Sequence, residues 1–367
     1  MSSDRAEKKM QKVAVILGSN IHWSPYYLRY EKQLNALGQP FDLIIWNREG
    51  LAEDVKANII ELRLADVSNN RNPFKLWKFV AFCRFVLRTI KKNGYDKLIF
   101  LGTHGCAVSF CEPYLKRHYN GRLWIDIRDD QYEWFPPFYW GEKASIDASY
   151  ETVISSSKYE KFLPPHNYLH IHNIDPNAME IKAAYKHIPD PDGRIRISFI
   201  GNVRYFEQNR LLLKHLGNDS RFCLQYFGSG TEILKHYCED NNITNVVFGG
   251  AFPQSETVHF YERTDIINNV YGNDTMNLQL ALSNKLYYSL LFELPLLVSE
   301  GTFMDELTAQ YGIGFAFSDD DGFADRLEAW YRSLIENRTG HRYAELLDKV
   351  KKEDDHCTDR FADFISS

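Results

Sequence analysis

Short apolar runs separated by longer amphipathic stretches set the rhythm of this chain. VAVILG (13–18), FDLIIWN (41–47), KLIFLG (97–102) and RLWIDIRD (122–129) share one form, with weaker versions at 57–64 and 151–157. Brief runs rich in β-branched and aromatic residues read as strands buried on both faces. Helical spacing between them predicts helices near 25–37, 73–93, 106–118 and 141–149, with Asn93-Gly94 closing the second. Residues 173–193 break the rhythm with NIDPNAME and HIPDPDG, a composition that suits a linker. The alternation then resumes with strands at 196–202, 222–228, 245–250, 264–271, 294–299 and 312–317. Helices are expected to about 216, at 231–241, 255–263 and 322–337, and over roughly 341–365. Strands alternating with helices predict parallel sheets covered on both faces. The expectation is α/β with two Rossmann-like domains: 1–172, a linker at 173–193, and 194–340.

Length and charge narrow the classes. A chain of 367 residues suits two domains, and a net charge of −6 argues against a dedicated nucleic-acid binder. The six cysteines form no C-x-x-C pair, which reads as reduced thiols in a cytoplasmic protein. The apolar run after the charged start is too short for a signal peptide, and 286–298, interrupted by Glu293, is too short to span a bilayer. Aromatic content of 14% suits either carbohydrate stacking or large cores.

The stretch SNKLYYSLLFELPLLVSEGTFMDEL (283–307) carries the clearest chemistry. A helix starting with Asn284-Lys285 runs into an apolar strand, which opens on Glu300-Gly301-Thr302 before another helix. Helix starts present free N–H groups and a positive dipole end to anions, and a lysine there adds a full charge. This stretch resembles the nucleotide-sugar half of GT-B glycosyltransferases, in the divergent group 1-like branch of capsular and O-antigen polysaccharide assembly. RISFIGNVR (196–204), LQYFGSG (224–230) and NVVFGGAF (245–252) are similar to the first strands and glycine turns of that half.

The resemblance implies a nucleotide-diphosphate sugar bound by the second domain, a glycan or lipid-linked glycan acceptor on the first, and a cleft between them. It also implies a final helix, 341–367, crossing back to the first domain. Neither a cofactor nor a metal is expected. The expected role is transfer of a sugar in bacterial surface polysaccharide synthesis, in the cytoplasm or on the inner membrane face. One departure stands out. The E-x7-E pair of retaining members falls on Leu280 and Tyr288, neither acidic. Retaining and inverting courses both stay open, as do an epimerase on the same fold and a non-catalytic sugar-nucleotide binding or assembly protein.

The expected donor-binding residues are Gly201, Asn202, Arg204, Gly228, Gly250, Asn284, Lys285, Glu300, Gly301 and Thr302. Arg204 suits a diphosphate through its planar donor fork, and capping is the stronger reading of Asn284. Backbone N–H groups near 301–304 are expected to join Lys285 and Arg204 around the diphosphate. His104 in Gly-Thr-His-Gly after one strand and Asp129 after another lie where open α/β sheets bind ligands. They are the catalytic candidates, Asp129 as base; Asp126, inside its strand, reads better as a partner of Arg128. The aromatic loop 130–142 offers Tyr132, Trp134, Phe135 and Trp140 to an acceptor. Helix 73–93 interleaves apolar residues with Lys75, Lys78, Arg84, Arg88, Lys91 and Lys92, which fits a membrane-surface helix or an ordinary domain helix with a basic edge. His170 and His172 have metal-like spacing but no carboxylate or cysteine nearby in sequence, and Asp319–Asp321 reads as helix capping.

Overall fold

The computed structural model describes residues 11–65, 75–102, 112–175, 177–337 and 340–367. Two compact units form. The first comprises 1–172 together with 353–367, the second 173–352.

In the first unit, β1 (Val13–Leu17), β2 (Phe41–Asn47), β3 (Asn58–Arg63), β4 (Lys97–Leu101), β5 (Leu123–Ile127), β6 (Glu151–Ile154) and β7 (Leu169–His170) form one sheet in the order β3-β2-β1-β4-β5-β6-β7. Every pairing is parallel. Strands β1, β4 and β5 are buried at every position, as their unbroken apolar runs require. The last helix, Gly340–Ser366, completes one face of this sheet. Cys357, Phe361, Phe364 and Ile365 join the core of Val15, Leu43, Ile99 and Trp124, with Trp124 edge-on to Phe361 at 5.0 Å.

The second unit holds β8 (Ile195–Ile200), β9 (Phe222–Phe227), β10 (Val246–Gly249), β11 (Ile266–Asn269), β12 (Leu296–Ser299) and β13 (Gly314–Phe317), again all parallel, in the order β10-β9-β8-β11-β12-β13. Alternate side chains serve two cores. Ile197, Phe199, Ile266 and Leu297 pack under the helices Phe206–Leu216 and Phe323–Glu336. Ile267, Leu296 and Val298 pack under the helix Asn284–Phe292 and against Tyr343, Leu346, Leu347 and Val350 of the last helix. That helix therefore divides its buried face between the units; it does not belong to the first alone.

Several segments differ from their sequence reading. The region 130–142 is not all loop: a helix runs Pro136–Asp147, with prolines in its first turn, where no intrahelical N–H is needed. The expected linker contains the helix Ala178–Ala184, and Met276–Leu280 forms a short helix capped by the Thr275 hydroxyl. The expected helix 106–118 is described from Glu112 to His118. Cys83, Cys223, Cys238 and Cys357 are free and buried.

Candidate functional site

In the second sheet the chain order reverses between β8 and β11, and ligands of open α/β sheets bind beyond the carboxyl ends of strands at such a point. The turns after β8 and β9 interlock there. Gly201 N–H donates to the Phe227 carbonyl, Val203 N–H to Ser229, and Gly228 N–H to Gly250. Gly228 has φ +130°, and a Cβ on it would lie 2.0 Å from the Gly201 oxygen. Glycine is required at 228 for both reasons. Gly201, with φ +124°, faces open space. Asn202 and Arg204 extend from this turn exposed, and Arg204 has no hydrogen-bond or ion-pair partner among the described residues.

Lys285 reaches the same edge from the first turn of its helix. It is not a solvated surface lysine: it is only 5% exposed. Its Nζ donates to the Tyr271 hydroxyl at 2.6 Å and lies 4.0 Å from the Phe199 ring centre and 5.0 Å from that of Tyr271. Tyr271 in turn stacks on Tyr205 at 4.3 Å. No carboxylate among the described residues pairs with this ammonium. A buried cation held only by aromatic faces and a hydroxyl is electrostatically incomplete, and an anion completes it. The helix cap is Ser283, whose hydroxyl accepts the Lys285 N–H at 3.3 Å. Asn284, expected to cap, is instead the exposed first helical residue.

The turn after β12 is held by its own side chains. Thr302 caps the helix Phe303–Gln310, accepting Asp305 N–H and donating to the Ser299 carbonyl. The Asp305 carboxylate accepts Gly301 N–H at 3.0 Å. The chain's own carboxylate thus takes the Gly301 N–H, one of the backbone donors expected to meet a phosphate. Glu300 is exposed, and its carbonyl accepts from Asn273. Leu280 is buried, and Tyr288 stacks on Tyr261 at 4.7 Å, so the two positions of the missing acidic pair are apolar packing.

In the first unit, Asp126 is fully buried. It accepts from Tyr30 at 2.8 Å and Arg128 at 2.7 Å, with a second contact to Arg128 at 2.6 Å. Burial pulls the Arg128 pKa down, and the Asp126 charge more than offsets it. Asp129 lies exposed just past β5. His104 falls outside the described residues. Before it, Gly102 (φ +57°) ends β4, where a Cβ would lie 2.1 Å from the Tyr26 hydroxyl oxygen. Tyr132, Trp134, Phe135 and Trp140 are all exposed, Trp134 at 79%. Beneath them, burial and then Glu133 push the Glu142 carboxyl up to about 9.

Folding gives the histidine pair what its sequence neighbourhood lacked. His172 Nε2 lies 2.6 Å from Glu353, and His170 Nδ1 3.9 Å from the same carboxylate. Burial pushes the Glu353 pKa up; the two imidazoles more than offset this and hold it well below the usual range. His170 is raised by Glu353, with burial opposing. No group able to hold a metal forms among the described residues. The Asp319–Asp321 run serves ion pairs rather than a cap: Asp319 meets Lys214 and His215, and Asp320 meets Arg326 while accepting Gly322 N–H.

Sequence reading missed Tyr271, Phe199 and Tyr205 around Lys285. The available signal was Tyr271 itself, an aromatic at the carboxyl end of the strand opposite the glycine turn.

Solved structures match the whole chain. A sucrose-phosphate synthase from Thermosynechococcus elongatus superposes with TM-score 0.69 at 12% identity, over 97% of this chain and 100% of that one. WaaG, a glycosyltransferase involved in lipopolysaccharide biosynthesis, gives 0.60 at 12% identity, over 95% and 98%. Anabaena HepE in complex with UDP-glucose gives 0.64 at 10% identity, over 96% and 100%. The chain has the GT-B glycosyltransferase fold. No protein-family model and no curated protein sequence matches it.

Proposed function

We propose that the protein is a glycosyltransferase that moves a sugar from a nucleotide-diphosphate donor to a hydroxyl of a glycan or lipid-linked glycan, in bacterial surface polysaccharide synthesis. The observation that carries this reading is Lys285, a buried ammonium at the switch-point edge of the second sheet with no carboxylate partner among the described residues. A diphosphate supplies its missing counter-charge, and the exposed Arg204 beside Gly201 adds a bidentate partner. The UDP-glucose complex of HepE supports a nucleotide-sugar donor on this fold.

In this reading the acceptor oxygen bonds to the anomeric carbon as the bond to the diphosphate breaks. The diphosphate leaves with the electron pair, stabilised by Lys285 and Arg204 in place of a metal. Asp129, exposed beyond β5, takes the hydroxyl proton if the course is inverting. Tyr132, Trp134, Phe135 and Trp140 receive the acceptor. We assign a cytoplasmic location. No helix among the described residues is long and apolar enough to cross a membrane, and any membrane contact falls to the basic edge of the helix Lys75–Asn93.

A thermal-shift panel of nucleotides and nucleotide sugars tests the reading. A matching nucleoside diphosphate raises Tm with the logarithm of its excess over Kd; no shift with any of them sinks it. The apolar packing of Leu280 and Tyr288 favours one second reading, a donor-binding protein without turnover. That protein shifts with nucleotide but releases no nucleoside diphosphate with any acceptor.

A further inference from the structure

An exposed tryptophan in the first unit is held too firmly to be incidental. The sheet order reverses between β1 and β4, and the segment leaving β1 forms a single turn, Ile21–Trp23. Trp23 is 57% exposed. Its indole N–H donates to Glu49 Oε1 at 2.8 Å, and His22 Nε2 lies 3.3 Å from Glu49 Oε2, so one carboxylate fixes both rings. The rings sit 5.0 Å apart at 45°.

The support below is also built. Asn20 is fully buried. Its Oδ1 accepts the N–H groups of Arg48 and Glu49, and its Nδ2 donates to Asn47 and Glu53. Glu53 also accepts Ile21 N–H at 3.2 Å. The turns after β1 and β2 are therefore tied together through Asn20 and Glu53, and the indole is presented in one orientation.

A flat apolar face, locked in place and rimmed by hydrogen-bonding groups, is complementary to a pyranose ring. The ring's C–H face covers the indole while its hydroxyls meet the rim. The charge of the rim selects further. Glu49 and Glu53 disfavour an anion, and the arginine next to Glu49 in sequence, Arg48, lies over the Trp46 ring at 4.3 Å. We propose that Trp23, with His22 and Glu49, is a stacking subsite for a neutral sugar unit of the acceptor. This rests on the glycosyltransferase reading for the word acceptor, but the subsite itself is testable without turnover.

The test follows the tryptophan indole N–H signals of the full chain by NMR, assigned with Trp23→Phe, Trp134→Phe and Trp140→Phe. The probes are the methyl glycosides of glucose, galactose, mannose and N-acetylglucosamine, with glucose 6-phosphate as the anionic comparison. The Trp23 signal should shift saturably with at least one neutral glycoside. Trp23→Ala should weaken that glycoside roughly tenfold or more, and Trp23→Phe should weaken it less. Thermal stabilisation by nucleoside diphosphate should be unchanged in both variants. A Trp23 signal that no glycoside moves overturns the subsite, as does a response confined to Trp134 or Trp140, or tighter binding of the phosphorylated sugar. The donor reading survives each of those results; it fails separately, on the nucleotide panel.

Discussion

Replacing Lys285 by methionine separates function from stability at a single atom. The side chain ends about one atom short of Nζ and still fills most of the space beside Phe199 and Tyr271, but the charge is gone. Two favourable contacts go with it. The charge-assisted bond to the Tyr271 hydroxyl at 2.6 Å is worth about 1.5–3 kcal/mol, and the ring contact at 4.0 Å about 0.5–2 kcal/mol. Against these stands the desolvation of an ammonium 5% exposed and without a carboxylate partner among the described residues, a penalty on the order of several kcal/mol. The variant should therefore melt at or above the wild-type temperature. Binding should move the other way. A charge-assisted bond to a phosphate oxygen is worth about 1.5–3 kcal/mol, so nucleoside-diphosphate affinity should fall about tenfold to a hundredfold. Calorimetric titration with UDP and other nucleoside diphosphates, beside melting curves without ligand, reads both quantities. A lower melting temperature with unchanged affinity would make Lys285 a structural residue and refute the reasoning.

Four further outcomes are expected. Gly228→Ala places a Cβ 2.0 Å from the Gly201 oxygen at φ +130°, so it should cost more than about 1 kcal/mol in denaturant melts and disorder the donor turn. Glu142 keeps its proton in the folded state to about 9, against 4.5 as the ordinary value, so stability falls as pH rises through that window. Glu142→Gln should thus gain melting temperature over wild type progressively across it, and a gain independent of pH would contradict the assignment. Glu353, depressed on folding, stabilises above the ordinary carboxylate range and loses that contribution as pH falls through its folded value. His170, raised on folding, contributes below about pH 6.5 and loses its share as pH rises through its folded value. The melting difference between wild type and Glu353→Gln should therefore peak in mildly acid solution and shrink on both sides. Finally, sugar transfer should persist in excess EDTA; activity abolished by the chelator and restored by Mg²⁺ or Mn²⁺ would show that Lys285 and Arg204 do not replace a metal.

The fold was legible because its signals are long and local. VAVILG, KLIFLG and RLWIDIRD allow no partly exposed strand, and two such series with a polar break between them specify two parallel sheets. The glycine turns were legible for a similar reason: Gly201 and Gly228 follow strands directly, and sequence places them at the carboxyl edge. What escaped was set by distant partners. The burial of Lys285 depends on Phe199 in β8 and Tyr271 just past β11, neither adjacent to it in sequence nor marked by a motif. The pairing of His172 with Glu353 joins residues 181 positions apart. The helix start at Pro136 was obscured because its first turn opens on two prolines directly after the exposed aromatics Trp134 and Phe135, a composition that reads as loop. Asp305 looked like an ordinary first-turn charge, and only the fold shows its contact with the Gly301 N–H.

The closing helix has a consequence for biosynthesis. Phe361, Phe364 and Ile365 belong to the core around Trp124, and Lys97, at the start of β4, bonds the Phe364 carbonyl and the Ser367 hydroxyl. The unit begun first on the ribosome is therefore finished last. Its sheet can pair early, but one face stays incompletely covered until residues 353–367 emerge. The second unit, drawn from the uninterrupted segment 173–352, carries no such delay. During synthesis the nascent chain exposes an apolar sheet face, a typical substrate for chaperones. A chain cut before residue 353, even one that retains every proposed donor-binding residue, should accumulate as aggregate rather than as a folded fragment.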